Sequence, residues 1–277
     1  MHRVATVLII YCPINNNTEL YFMETLEKVI SVVRSAGAIL AHEFRHINTF
    51  DAKGDHDIVT HADYQSEALI MKELQAVYPE YSIITEESPN IEGKAEYCWY
   101  IDPLDGTNNF ITGSPYFVVS IGLAFQDEII LGVVYNPISD ELFYAEKGKG
   151  AFLNGESITV SNRRELSESL LAMAYAAEED KIRQGISVLE TFVLQCRRVV
   201  INFAPALDLC NIARGRLDGL IDNGSTPEDH AAASLILSEA GGSLRNFDQN
   251  GWDVNRTGII ASNGWLHDQL LAQMKKL

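Results

Sequence analysis

Residues 101–110 read IDPLDGTNNF, and the reading of this stretch decides the fold and the chemistry. Tyr97, Trp99, Tyr100 and Ile101 make an apolar lead-in, which predicts a buried strand ending where the acids begin. Asp102 and Asp105 then stand three residues apart, with Pro103 and Leu104 between them and Gly106-Thr107 straight after. A buried carboxylate is costly unless it is paired or coordinates a metal, and two neighbouring carboxylates repel. The stretch asks for positive charge.

The rest of the chain does not supply it in bulk. With 21 Lys and Arg against 38 Asp and Glu, the net charge is −17, which argues against nucleic acid or an anionic membrane as partner. An acidic protein binds phosphate through a local device, such as metal ions or a helix N-terminus. At 277 residues, 47% apolar and 21% charged, the chain has the make-up of a soluble enzyme with a substantial core. The four cysteines (Cys12, Cys98, Cys196, Cys210) form no CxxC pair and read as reduced thiols, hence a cytoplasmic location. VATVLIIYC at 4–12 is too short to span a bilayer. Arg3 precedes it as in a signal peptide, but no small-residue cleavage site follows. Residues 1–22 are therefore read as an N-terminal extension, either an extra strand or a start assigned too early, with Met23 the natural beginning.

Outward from the acids, helical spacing of Phe22, Leu26, Val29, Ile30, Val33, Leu40 and Phe44 predicts one helix over 21–46, and a second follows over 63–77. Short strands are expected at 81–85 and 97–101. FVVSIGLAF, IILGVVYNP and ELFYAEKG then read as an antiparallel meander. The second half alternates: strand 169–176, helix 180–195, strand RRVVINF, helix 206–214, strand LDGLID, helix 227–240, two strands and a terminal helix. Mixed sheets with helices packed as layers accommodate such a pattern. Two halves, 23–160 with most of the acids and 161–277 completing the site, are expected to share a cleft.

Other acids stand where strands or loops give way to helices: Asp63, Glu86, Glu87 and Asp229. Singly, each has a plain explanation. Thr60 to Asp63 and Thr226 to Asp229 fit capping-box spacing, and Glu86-Glu87 reads as a solvated loop pair. Together they form an oxygen-donor set of the kind that holds Mg²⁺, and two such ions can clamp both oxygens of an in-line phosphoryl displacement. Asp105 is expected to cap a short helix through Asn109, leaving the Gly106 and Thr107 amides free for an anion.

DPLDGTNNF resembles the D-P-x-D-G-T-x-N-F signature of the inositol monophosphatase family of Mg²⁺-dependent, lithium-sensitive phosphatases. The resemblance runs from about Met23 to the C-terminus through KGDHDIVTHAD, TEES, the NPISDELFYAEKGKGAFLNG stretch and the AAASLILSEAGG that follows Asp229. It implies an α/β fold layered as an αβαβα sandwich, and a homodimer. By position, Glu86, Asp102 and the Leu104 carbonyl would hold one metal, and Asp102, Asp105 and Asp229 a second. Asp63 and Thr107, with Glu86, would serve the attacking water, and the Gly106 and Thr107 amides would take the phosphate. Asp222 would read substrate hydroxyls beside Ala204 and Pro205, and Lys53 would lie on a mobile loop. The family implies two or three Mg²⁺ per site, with Mn²⁺ as a substitute and Li⁺ and Ca²⁺ as inhibitors.

Two departures concern the substrate. Glu228 stands where the family usually has Trp, and NFAPA at 202–206 replaces a Gly-Ser/Thr-Ala turn. Inositol 1-phosphate leads the expected substrates. Fructose 1,6-bisphosphate, NADP, histidinol phosphate and nucleotide 3′-phosphates are the family's alternatives, and a regulatory protein binding transcription machinery is the alternative of another class. The acids are spaced D-x-x-D, not the D-x-D-x-T of aspartyl-phosphate phosphatases, so no covalent nucleophile is expected.

Overall fold

Strands whose residues alternate between two apolar surroundings organise the molecule into layers. The computed structural model describes residues 16–45, 51–52 and 58–277, with side chains from Met23 to Arg45 and from Val59 onward. Lys53, Cys12 and the first fifteen residues of the expected extension lie outside the described residues.

In chain order the elements are α1 (Asn16–Glu43), β1 (Asp51–Ala52), β2 (Ile58–Val59), α2 (His61–Val77), β3 (Ser82–Thr85), β4 (Tyr97–Asp105) and α3 (Thr107–Ile111). Next come β5 (Val118–Phe125), β6 (Glu128–Asn136), β7 (Glu141–Glu146), β8 (Ala151–Leu153) and β9 (Glu156–Ile158). A 3₁₀ turn at Leu166–Glu168 leads into β10 (Leu170–Ala174), α4 (Glu179–Val193), β11 (Arg198–Ile201), α5 (Pro205–Ala213) and β12 (Gly219–Asp222). The chain closes with α6 (Pro227–Glu239), β13 (Ser243–Asn246), β14 (Ile259–Ser262) and α7 (His267–Met274). None of the described helices is long and apolar enough to cross a membrane.

One sheet has seven strands in the order β3-β4-β5-β6-β7-β8-β9, and another five in the order β11-β10-β12-β14-β13. Val119, Ile121 and Leu123 of β5 face α1 and α2, while Val118 and Ala124 face the inner helices. In the second sheet Ala172, Leu220 and Ala261 face inward, and Leu171, Met173, Ile221 and Ile260 face α4 and α7. This period of two gives five layers: α1 and α2, the seven-stranded sheet, α5 and α6, the five-stranded sheet, then α4 and α7. The expected αβαβα sandwich is present.

The inner helix α6 lies hard against the first sheet because glycines face it. A Cβ on Gly132 would come 2.3 Å from the Ala232 carbonyl oxygen, and one on Gly122 would come 3.0 Å from the Ala232 nitrogen. Both small partners, Ala231 and Ala232, are fully buried.

Some boundaries differ from the sequence reading. The first helix starts at Asn16 and ends at Glu43, since its polar first turn carries no apolar periodicity to signal it. More consequentially, β4 does not stop at Ile101 but runs on through both acids to Asp105. Its pairing with β5 is irregular there, with Asp102 opposite Ser120 and Asp105 opposite Val118. In a regular strand, residues three apart face opposite sides. One extra residue bulges between the acids and turns both toward the inner helix layer. Pro103, with no amide to donate, suits the bulge.

Candidate active site

Asp102 and Asp105 are 1% and 4% exposed, and each has one oxygen drawn to a backbone donor. The Leu104 amide donates to Asp102 Oδ1 at 2.9 Å. The Leu207 amide, at the start of α5, donates to Asp105 Oδ2 at 3.3 Å. The second contact corrects the expected cap. The short α3 begins at Gly106 with no side-chain cap, whereas α5, which also lacks a cap of its own, takes Asp105 at its amino end. Free amides of a first helical turn favour an anion, and the bulge aims the carboxylate at α5.

Gly106 then turns the chain with a φ of 95°. A Cβ there would come 2.8 Å from the Tyr116 carbonyl oxygen, so the turn requires glycine. Thr107 follows as the first residue of α3, and its hydroxyl lies 3.1 Å from the Leu104 carbonyl oxygen and 3.3 Å from Asp63 Oδ1.

Asp63 is buried and bifunctional. Its Oδ2 accepts from the Thr60 amide at 2.8 Å and the Thr60 hydroxyl at 2.5 Å, completing the capping box of α2. Its Oδ1 faces Thr107. Asp229 repeats the device on α6, where its Oδ2 accepts from the Thr226 amide at 2.6 Å and hydroxyl at 3.1 Å. The cap and the site share one residue in both helices, so neither reading of these acids excludes the other.

Electrostatics tie the acids into one group. Burial raises Asp102 well above the usual carboxylate range, and Glu86, Asp105 and Asp229 raise it further. Asp105 is raised by burial and then by Asp229. Asp229 is pushed up to about 7, chiefly by burial and the charge of Glu228. Burial also raises Asp63, against the pull of its Thr60 bonds. Among the described residues no Lys or Arg pairs with Asp102, Asp105 or Asp229. Nor do any three of the described acids, histidines or cysteines close on a single point as a finished ligand cage, because each acid leans on a local donor. A buried group of hard oxygens lacking a positive partner fits Mg²⁺ by donor chemistry.

Of the remaining expected residues, Asp222, Ala204 and Pro205 are described. Asp222 ends β12 and is 2% exposed, its Oδ1 accepting from the Gly224 amide at 2.8 Å and the Ser225 amide at 3.3 Å. Ala204 is buried and precedes Pro205, the first residue of α5; its Cβ would stand 3.2 Å from a Cβ on Gly106. Asp208 was not singled out by the sequence reading. Its Oδ1 accepts from the Tyr116 hydroxyl at 2.6 Å and Asn202 Nδ2 at 2.7 Å, while Asn211 Nδ2 donates to the Tyr116 oxygen at 2.9 Å. Burial pushes it up to about 7. The available signal was a lone acid inside the apolar run ALDLC.

Five alternating layers with a buried carboxylate group at the bulge define an acid-centred α/β sandwich protein. The chain belongs to the inositol monophosphatase family, which it matches over residues 23–276. It is 37% identical to inositol monophosphatase 2 of Solanum lycopersicum over 257 residues, covering 90% of this chain and 97% of that protein. It is 36% identical to the Nus factor SuhB of Haemophilus influenzae over 254 residues, 90% of this chain and 95% of that one. Among solved structures, an inositol monophosphatase from Anabaena (Nostoc) sp. PCC 7120 superposes with a TM-score of 0.83 at 33% identity, over 93% of this chain and 97% of that chain. The extragenic suppressor protein suhB of Bartonella henselae gives 0.84 at 32% identity, over 91% and 99%. Family membership supports a phosphatase function.

Proposed function

We propose that the protein hydrolyses small phosphate monoesters with Mg²⁺, inositol 1-phosphate being the family's reference substrate. The observation that carries this reading is the set of acids Asp102, Asp105 and Asp229, which pair with no Lys or Arg among the described residues, set beside a turn that only glycine can make. Glu86, Asp102, the Leu104 carbonyl, Asp105 and Asp229 would hold the metal. When bound, Mg²⁺ supplies water acidified for attack and charge neutralisation for the phosphoryl group. Thr107 orients the attacking water and Asp63 Oδ1 accepts its proton, the two already standing 3.3 Å apart. The amides of Gly106 and Thr107 receive phosphate oxygens. No covalent enzyme intermediate is required. Mn²⁺ substitution, inhibition by Li⁺ and Ca²⁺, a homodimer and a cytoplasmic location belong to the same proposal.

The test is phosphate release from inositol 1-phosphate, fructose 1,6-bisphosphate, histidinol phosphate, NADP and adenosine 3′-monophosphate, with Mg²⁺, with EDTA and with added Li⁺. Release that needs Mg²⁺ and falls with Li⁺ is the expected result; metal-independent release, or none, overturns it. A second reading, regulation by binding a macromolecule, is favoured by the likeness to proteins named Nus factor SuhB. Under it, Asp102→Asn abolishes turnover but leaves the cellular phenotype intact.

A further inference from the structure

The carboxyl ends of the parallel strands β11, β10 and β12 open onto one edge, where open α/β sheets bind ligands. Met173 pairs with Ile201 and Ala174 with Asp222, so the loops entered at Asn202, Tyr175 and Asn223 leave the sheet side by side. Two of these loops carry aromatic rings. Phe203 and Tyr175 meet edge to face, with centroids 5.3 Å apart and planes at 87°.

Tyr175 is held from behind. Gly185 of α4 lies so close that a Cβ there would come 2.8 Å from the ring, and the Ala176 amide donates to Asn223 Oδ1 at 3.2 Å. Phe203 is 38% exposed and has a φ of 49°. The left-handed conformation is costly for a bulky side chain and persists where the surroundings impose it, often at ligand sites. The surroundings here are the 106–109 turn. Asn109 Nδ2 donates to the Asn202 carbonyl at 2.6 Å on one side of Phe203, and on the other Ala204 packs at Gly106. Phe203 is thus stitched on both flanks to the segment whose amides are proposed to take phosphate. Asp222, the acid expected to read substrate hydroxyls, is buried with Oδ1 turned to backbone amides.

We propose that Phe203, backed by Tyr175, determines specificity, and that the site prefers phosphate monoesters whose alcohol carries a flat unsaturated ring over polyol phosphates. The inference rests on the phosphatase reading above. A ring gains from an aromatic wall whatever its polar pattern, whereas a polyol needs hydroxyl acceptors.

The experiment compares adenosine 3′-monophosphate with inositol 1-phosphate in steady state with Mg²⁺, for the wild type, Phe203→Gly, Phe203→Leu and Phe203→Trp. Glycine relieves the positive φ, and leucine keeps the bulk without the face. The wild type is expected to favour the adenosine ester in kcat/KM by about tenfold or more. Both Phe203→Gly and Phe203→Leu should erase that preference through KM of the adenosine ester, leaving its kcat and the polyol kinetics unchanged, and Phe203→Trp should restore it. A wild type that prefers the polyol, or variants that weaken both esters equally, overturns the inference. If neither ester is hydrolysed, the phosphatase reading is decided by the other three esters of its own panel. Calorimetric titration of adenosine 3′-monophosphate into Mg²⁺-containing protein then judges the wall alone: binding weakened about tenfold in Phe203→Gly supports it, and equal or absent binding overturns it.

Discussion

Asp105 answers to two demands at once: it accepts from the amino end of α5 and stands among acids that repel it. Asparagine keeps an acceptor for the Leu207 amide and drops the charge. Asp105→Asn should therefore fold while losing about a hundredfold or more of Mg²⁺-dependent turnover; near-normal phosphate release from the variant would sink its role as a ligand. Asp208 allows a cleaner electrostatic test, because it is not among the expected ligands. Its pKa lies at about 7 in the fold against 3.8 as the ordinary value, raised by burial. A raised carboxyl contributes stability that is full below the ordinary value and is lost as pH climbs through the folded one. The wild type should thus lose about 2–3 kcal/mol more stability than Asp208→Asn between pH 5 and pH 8, read from urea unfolding at the two pH values; parallel losses would refute the shift. The acids themselves were legible in the sequence, since carboxylates after a buried strand demand an explanation. Asp208 was not, because its meaning comes from Tyr116 and Asn202, which reach it only through the fold.

At the scale of elements, α6 delivers Asp229 by lying close on the backbone at Gly122 and Gly132. Gly132→Ala would place a Cβ 2.3 Å from the Ala232 carbonyl oxygen. The helix must lift, so the substitution should cost about 1–3 kcal/mol in stability and, through displacement of Asp229, up to about a hundredfold in kcat. Thermal melts and kinetics on the same sample check this; a destabilised variant with unaltered kcat would show that the site tolerates movement of α6. Element types were largely readable from periodicity, including the meander and the alternating second half. The run of β4 through Asp102 to Asp105 was not, because a bulge is set by pairing with Ser120 and Val118 and leaves no mark on the strand's own sequence. The cap on α5 escaped for a similar reason, its donor and acceptor being 102 residues apart.

For the whole molecule, the buried acids act as a standing penalty that a cation would remove. Mg²⁺ at a hundred times its Kd should stabilise the fold by about 2.7 kcal/mol, a rise of several degrees in Tm that EDTA reverses. A melting curve indifferent to both additions would mean the acids do not gather the ion. The residues of the proposed centre are also spread unevenly along the chain: Asp63, Glu86, Asp102 and Asp105 come early, and the α5 amides and Asp229 come late. During synthesis from the amino end, the first sheet can emerge with its acids aligned on a face that nothing yet covers. Only when translation has passed α6 can that face close and the last carboxylate arrive. On the proposed reading, the phosphatase site is therefore incomplete on the nascent chain until α6 has brought Asp229 to the acids of the first sheet.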